Sequence, residues 1–339
     1  AGNTLRLSVE PYGGGVWRGW LDRPLSVAGR VVIRQGDRLV SRLVNIDRDL
    51  LVIPGVAIHM DRSVNKGAEL NPAVDLLPLL GCGKEPGAFR KLIAEAAGVR
   101  EEHLLSTELF LYPRTKAVQT GLNGEFIVSP RLDDLQCVFG CLEGFLAAKP
   151  GGSLPVLAVF NNEEVGSNTR QGADSTFLTD VLERIADGCG LSREEWRAAV
   201  ANSFMVSADN AHAIHPAHPE YADKGEFPVL GGGIVIKYNA NQRYTTDAVS
   251  GAVFQAICQE AGVPVQRYSN RADLPGGSTL GNISTAHLSV PTVDIGLPQL
   301  AMHSVCETAG AADTDYLVKA MTAYFSRDFH RDRDGGIVF

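Results

Sequence analysis

The spacing of apolar and polar positions changes along this chain and divides it into two parts. Up to about residue 55, short apolar runs separated by turns predict β-structure, including a hairpin that joins 31–33 to 39–44. Beyond about residue 118, apolar stripes of helical spacing alternate with short apolar runs. This alternation is typical of a parallel or mixed sheet with helices on both faces. We therefore place a domain boundary between residues 117 and 118.

The second part contains the clearest signals for individual elements. An apolar stripe predicts a long helix over 131–148, and 313–325 reads as a closing amphipathic helix. Three short apolar runs predict buried strands at 154–160, 204–208 and 291–295.

Acidic residues or histidine accompany each of these strands and the start of the long helix. The residues are Asp133, Asp134, Glu163, Glu164, Asp209 and His303. Because the strand ends of a doubly wound sheet meet at one edge, we expect these side chains to converge there. Carboxylates and imidazole are ligands of Zn²⁺ and similar metals, and such a set could hold two metal ions bridged by a carboxylate and a water.

Taken singly, these residues also have interpretations that involve no metal. Aspartate at a helix start is favoured by the helix dipole, by ~0.3–1 kcal/mol. The adjacent pair Glu163 and Glu164 could form a solvated turn, because charged residues are mostly exposed. Asp209 could be a turn residue and His303 a hydrogen-bonded polar residue. The shared pattern therefore carries more weight than any one member.

Three further features could belong to a binding pocket. His212, His215 and His218 follow Asp209 at intervals of three, but neighbouring prolines favour a loop over a zinc-binding helix. Lys237 lies in an apolar run, where a lysine either extends to solvent from a sheet edge or pairs with an acidic substrate group. The glycine-rich stretch 273–281 lacks the spacing of a nucleotide-binding loop, although its N–H groups could bind an oxyanion.

Composition limits the classes of function. The 339 residues are 45% hydrophobic and 21% charged, with a formal net charge of −8, which fits a globular protein and disfavours nucleic-acid binding. Six scattered cysteines predict reduced thiols and a cytoplasmic location, and no apolar run approaches the ~18 residues of a membrane span. The sequence begins at Ala1 without an initiator methionine, so we expect an upstream segment.

Segments from both parts resemble the aspartyl aminopeptidases. They are SPRLDDL (129–135), NNEEVGS (161–167), SADNAHAIHP (207–216), VIKYNANQRY (235–244), QLAMHS (299–304), EPYGGGVWRGWLDRPLSVAGRV (10–31) and VAIHM (56–60). The resemblance implies an α/β protein with a phosphorylase/hydrolase-like mixed sheet flanked by helices and a β-rich dimerisation domain. Residues 1–117 would form the dimerisation domain and 118–339 the metallopeptidase domain.

The resemblance also implies residue roles and a cofactor. Glu163 would be the general base, and two divalent metal ions, Zn or otherwise Co or Mn, would be the cofactor. The implied metal ligands are Asp133, which would bridge the ions, with Glu164, Asp209 and His303. The implied substrate-binding residues are Lys237, His212, His215 and, from a neighbouring subunit, His59.

The implied activity is removal of N-terminal, acidic residues from peptides by a cytoplasmic dodecamer built from dimers, with no nucleic-acid or membrane partner. Two alternatives remain open: an aminopeptidase of neutral or broad specificity, and a non-catalytic assembly protein. The second arises because the resemblance implies one more ligand, a histidine in an upstream His-x-Asp segment that this sequence does not contain.

Overall fold

Two units make up the chain, Ala1–Lys116 (unit 1) and Ala117–Phe339 (unit 2), and each has its own hydrophobic core. The computed structural model describes residues 2–83, 85–274, 276–334 and 336–339. Pro275 of the glycine-rich stretch therefore lies outside the described residues. In the described parts of the chain, every helix is too short or too polar to cross a membrane.

Unit 1 is a sheet organised around one long central strand. Its strands are β1 (Thr4–Arg6), β2 (Pro24–Gln35), β3 (Arg38–Asn45), β4 (Leu51–Val52), β5 (Leu79–Cys82) and β6 (Leu104–Pro113), and its helices are α1 (Pro72–Asp75) and α2 (Ala88–Ala96). β2 pairs antiparallel with β3 and β4 on one side and with β6 on the other. The predicted hairpin is confirmed, with Gln35 opposite Arg38 at its turn.

The core of unit 1 follows from the apolar residues of β2. Leu25, Val27, Val31 and Ile33 are buried and belong to one cluster with Ile93 of α2. Burying each of these side chains contributes about 1.5–3 kcal/mol, so β2 adds substantially to the stability of this unit.

Unit 2 contains the alternating helices and strands that the sequence predicts. Its helices are α3 (Leu132–Ala147), α4 (Phe177–Gly188), α5 (Arg193–Ala201), α6 (Ala248–Glu260), α7 (Leu280–His287) and α8 (Ala311–Phe325). Its strands are β7 (Val118–Thr120), β8 (Phe126–Ser129), β9 (Met205–Ala208), β10 (Ala211–His212), β11 (Ile234–Tyr238), β12 (Val265–Ser269), β13 (Thr292–Gly296), β14 (Pro298–Leu300), β15 (Glu307–Gly310), β16 (His330–Arg331) and β17 (Ile337–Val338).

Two sheets of unit 2 meet where the chain passes directly from one to the other. One sheet has the order β12-β11-β13-β9 and mixes parallel and antiparallel pairs, and the other has the order β10-β14-β15-β8-β7. The chain crosses between them from β9 to β10 and again from β13 to β14. The backbones approach closely here, because a side chain at Gly296 would collide with the carbonyl oxygen of Asp209. This mixed α/β architecture confirms the predicted fold class.

The prediction of a buried strand at 154–160 is wrong. Residues 154–160 form no strand, and Leu154, Val156 and Val159 are exposed. A strand needs hydrogen bonds to a neighbour as well as β-branched residues, and the described residues place no strand beside this segment.

The start of α3 also differs from the predicted helix. Asp133 and Asp134 have non-helical backbone angles and are joined by a cis peptide bond, so the regular helix begins after them. The two carboxylates therefore precede the first regular turn of α3 and do not form part of it.

Candidate metal centre

Three of the predicted ligands converge in unit 2. His303 Nε2 lies 3.3 Å from Asp133 Oδ2 and 3.2 Å from Glu164 Oε2. Asp133 follows β8, His303 follows β14, and Glu164 lies in a short 3₁₀ turn, Glu163–Val165. Residues separated by up to 170 positions thus direct ligand atoms into one small volume.

A second cluster of possible metal ligands, formed by three aspartates, also contains Asp133. Carboxylate oxygens of Asp133, Asp134 and Asp209 all lie within 4.8 Å of one another. The backbone N–H of Asn210 donates to Asp134 Oδ1 at 3.1 Å. This bond holds the segment between β9 and β10, which contains Asp209, against the start of α3. Asp133 is therefore common to both groups, as a bridging ligand would be.

Lys237 supplies positive charge beside Asp209. Its ammonium is buried, 3.4 Å from Asp209 Oδ2 and 2.8 Å from the carbonyl oxygen of Asn210. Burial alone would lower the pKa of Lys237, but the charge of Asp209 and smaller contributions from Tyr244 and Asp294 raise it, so the ammonium stays protonated. Lys237 is thus not a lysine that extends to solvent from a sheet edge.

Burial determines the electrostatics of the acidic residues. It raises the pKa of Glu164 to about 7, although His303 opposes the shift, and it raises the pKa of Asp209 to about 7, although Lys237 opposes it. The pKa of Glu163 is raised by burial first and by the charge of Asp133 second. Carboxylates crowded in this way are stabilised by a bound cation.

The donor set fits a zinc ion. Asp133, Glu164 and His303 offer two carboxylate oxygens and one imidazole nitrogen within 4.8 Å of one another, which are ligand types and a spacing that Zn²⁺ uses. The second group, with Asp134 and Asp209 beside Asp133, is all oxygen. These two groups are the places where metal ions would be held.

The backbone around the centre is held in unusual conformations. Five of the eight non-glycine residues with positive φ among the described residues lie at or beside the predicted ligands: Arg131, Asn162, Ser167, Ala301 and His303. A left-handed backbone at such residues costs about 1–3 kcal/mol each and concentrates at functional sites. The clustering is independent of the charges and marks the same region.

Of the predicted substrate-binding residues, His212 and Lys237 lie in strands β10 and β11, His215 lies in the loop after β10, and His59 lies in unit 1. The His212 ring, on β10, is 6.1 Å from the Tyr268 ring, and Lys237 Nζ lies 5.6 Å from the ring centre of Tyr244. The pKa of His212 is lowered, by burial and then by Lys237. His215 lies in the loop after β10, which confirms a loop over a zinc-binding helix, and its ring is 5.2 Å from His218.

His59 belongs to unit 1, where it is exposed in a turn at 57–60. Its predicted role in a neighbouring subunit's site stays a prediction.

Two buried residues near the centre escaped sequence reasoning. Glu307 accepts hydrogen bonds from the backbone N–H groups of Asp133 and His303. Asn210 donates through Nδ2 to Gln136 and Gln299, and it accepts a hydrogen bond from the Cys137 thiol. Glu307 does not follow one of the predicted strands, and Asn210, beside Asp209, is neither acidic nor a histidine, so the signal that revealed the ligands was incomplete for both.

The family match and similar curated relatives indicate the same protein family. The family described as aminopeptidase I zinc metalloprotease (M18) matches residues 2–325. A probable M18 family aminopeptidase 2 of Clostridium acetobutylicum is 45% identical over 328 residues, which cover 95% of this chain and 76% of the relative.

Solved structures agree in fold over nearly the whole chain. A structure of the Ape4 and Nbr1 complex superposes with a TM-score of 0.89 at 36% identity, covering 96% of this chain and 67% of that one. The mApe1 dodecamer of S. cerevisiae gives 0.77 at 27% identity, covering 95% and 73%. The similarity therefore extends over both units.

Proposed function

The chain belongs to the M18 family of zinc aminopeptidases, hydrolases that act on peptides, and we propose that it removes acidic N-terminal residues through a dinuclear metal centre. The observation that carries the proposal is the convergence of Asp133, Glu164 and His303, with Asp209 and Lys237 alongside. We propose that the chain assembles into a homo-oligomer, because the mApe1 relative is a dodecamer.

Each residue of the candidate centre would have its own role. Asp133 would be shared between two metal ions, Glu164 and His303 would complete the ligands in one group, and Asp209 would bind in the other. When bound, the ions would lower the pKa of a water molecule so that it can attack a peptide carbonyl near neutral pH.

Glu163 would act as the general base. Its half-buried carboxylate is adjacent to Glu164 in the same 3₁₀ turn, and the charge of Asp133 contributes to its raised pKa, which supports a position close to the centre. Glu163 would take a proton from the attacking water and deliver it to the amine that leaves when the peptide bond breaks.

Lys237 supports the preference for acidic substrates. A buried, protonated ammonium next to the centre would attract a carboxylate of the substrate side chain, and the His212 ring beside Tyr268 would line the same pocket. A leucine side chain would gain nothing from this charge and would leave the ammonium facing an apolar group.

Hydrolysis of Asp-, Glu- and Leu-anilides by the full-length protein tests this function. We expect faster turnover of the two acidic substrates, loss of all activity with a chelator, and recovery when Zn²⁺ is added. Lys237→Met should bring the acidic and leucine rates closer together while zinc content stays near normal. Equal rates on all three substrates would support broad specificity, and no activity with bound zinc would support a non-catalytic role.

A further inference from the structure

A buried carboxylate connects the two chain segments that carry Asp133 and His303. Glu307, the first residue of β15, is 2% exposed. Its Oε2 accepts the backbone N–H of Asp133 at 3.0 Å, and its Oε1 accepts the backbone N–H of His303 at 2.8 Å. One side chain therefore fixes the backbone of two predicted ligands at the same time.

These two segments need such a connection. Arg131, Ala301 and His303 have left-handed backbones, with φ of 59°, 57° and 63°, and none of the three continues a helix or a strand. A strained conformation persists only where the surroundings hold it. The Glu307 carboxylate lies between the segments because β15 pairs with β8, which places Glu307 opposite Ser129.

The chemistry requires a carboxylate at this position. Two backbone N–H groups approach two different oxygens, and an ionised carboxylate offers an acceptor on each, whereas an amide offers an acceptor on one side only. Burial of the charge is costly, and these N–H donors offset that cost. Glu307 is thus built to hold two donors.

We propose that Glu307 is a positioning residue that sets the metal affinity of the centre by holding the backbones of Asp133 and His303. This inference rests on the proposed metal centre, in which both residues are ligands. Glu307 itself would touch neither substrate nor metal. Residues that orient metal ligands typically change metal affinity or activity by about 10–100-fold when substituted.

The test is calorimetric titration of Zn²⁺ into the chelator-treated full-length protein and its Glu307→Gln variant. The amide would face one of the two N–H groups with its own N–H₂, so one bond is lost and replaced by opposed donors. We expect the Kd for Zn²⁺ to rise about 10–100-fold. At saturating Zn²⁺ we expect kcat to recover to within a fewfold of the unsubstituted value, because no reacting group has been removed.

Asp313→Asn is the matched control. Asp313 is another fully buried carboxylate that accepts two backbone N–H groups, those of Gly231 at 2.8 Å and Gly233 at 2.9 Å. If Glu307 had only a structural role, both variants would lower the Tm and the two would have similar Kd values for Zn²⁺. A positioning role predicts that Glu307→Gln alone weakens zinc binding.

Three outcomes separate the possibilities. If the unsubstituted protein binds no Zn²⁺, the proposed metal centre is wrong. If it binds Zn²⁺ and Glu307→Gln binds within twofold, or if both variants lose affinity equally, the positioning role is overturned. If Glu307→Gln does not fold, Glu307→Asp decides: it keeps the charge but is too short to reach both N–H groups, so unchanged affinity would contradict the proposal.

Discussion

At the scale of single residues, two adjacent glutamates have different surroundings. Glu164 Oε2 lies 3.2 Å from His303 Nε2, inside the ligand group. Glu163 precedes it in the same turn, and its raised pKa reflects burial and the charge of Asp133. Burial raises the pKa of both glutamates, so the position of Glu164 beside His303 and Asp133, and not its pKa, is what suits it to holding a cation.

Exchanging each glutamate for glutamine separates the two roles. We expect Glu163→Gln to lower kcat by about 10²–10⁴-fold with near-normal zinc content, because only proton transfer is lost. Glu164→Gln should instead lower zinc content. Steady-state kinetics with metal analysis of both variants checks this, and loss of zinc in Glu163→Gln would reverse the assignment.

At the scale of elements, the contact of α3 with α8 shows how unit 2 packs behind the centre. Gly140 and Gly144 lie on the face of α3 that meets α8. A Cβ at Gly140 would meet the flexible end of Leu317 at 2.6 Å, but a Cβ at Gly144 would meet Met321 Cβ at 2.5 Å and the backbone N of Thr322 at 2.9 Å. The helices approach most tightly at Gly144, because the atoms that a Cβ would meet there are a Cβ and backbone atoms, which cannot move aside as a side-chain end can.

Gly144→Ala should therefore destabilise the protein by about 1–3 kcal/mol, as overpacked core substitutions do. Gly188→Ala is the control, because a Cβ there meets nothing within 4 Å and the change gains helix propensity of up to about 1 kcal/mol. Urea unfolding of both variants measures the difference. Equal stability in the two would mean that α8 shifts freely to accommodate the methyl group.

At the scale of the whole molecule, one prediction concerns more than one subunit: His59 of unit 1 would enter the site of a neighbouring subunit. Unit 2 carries the candidate metal centre, whereas His59 lies exposed in unit 1. In a homo-oligomer, an exposed residue of one subunit can enter the site of another, so the two units would cooperate between subunits.

Mixing two inactive variants tests this cooperation. His59→Ala and Glu163→Gln should each show little activity alone. Subunits that are dissociated, mixed and reassembled should recover activity, because some sites combine an intact Glu163 with an intact His59 from a neighbour. Light scattering should give the same oligomeric mass for all samples. Full activity of His59→Ala alone would show that His59 does not contribute to the site.

The sequence by itself determined the helices α3 and α8, the strands β9 and β13 and the residue types of the candidate metal centre. The stripe of α3 and the apolar runs of β9 and β13 are local signals, because helical and strand periodicity are written into consecutive residues. The same logic indicated Asp209 and His303, which come soon after predicted strands. These inferences needed only neighbouring residues.

Only the tertiary structure decided which groups meet. The segment 154–160 has the composition of a strand but pairs with none among the described residues, since pairing depends on a distant neighbour. Glu307 bonds to the backbone of Asp133, 174 residues away, and no local pattern records that bond. Side-chain chemistry is encoded locally, whereas hydrogen-bond partners and buried charge depend on how distant segments pack.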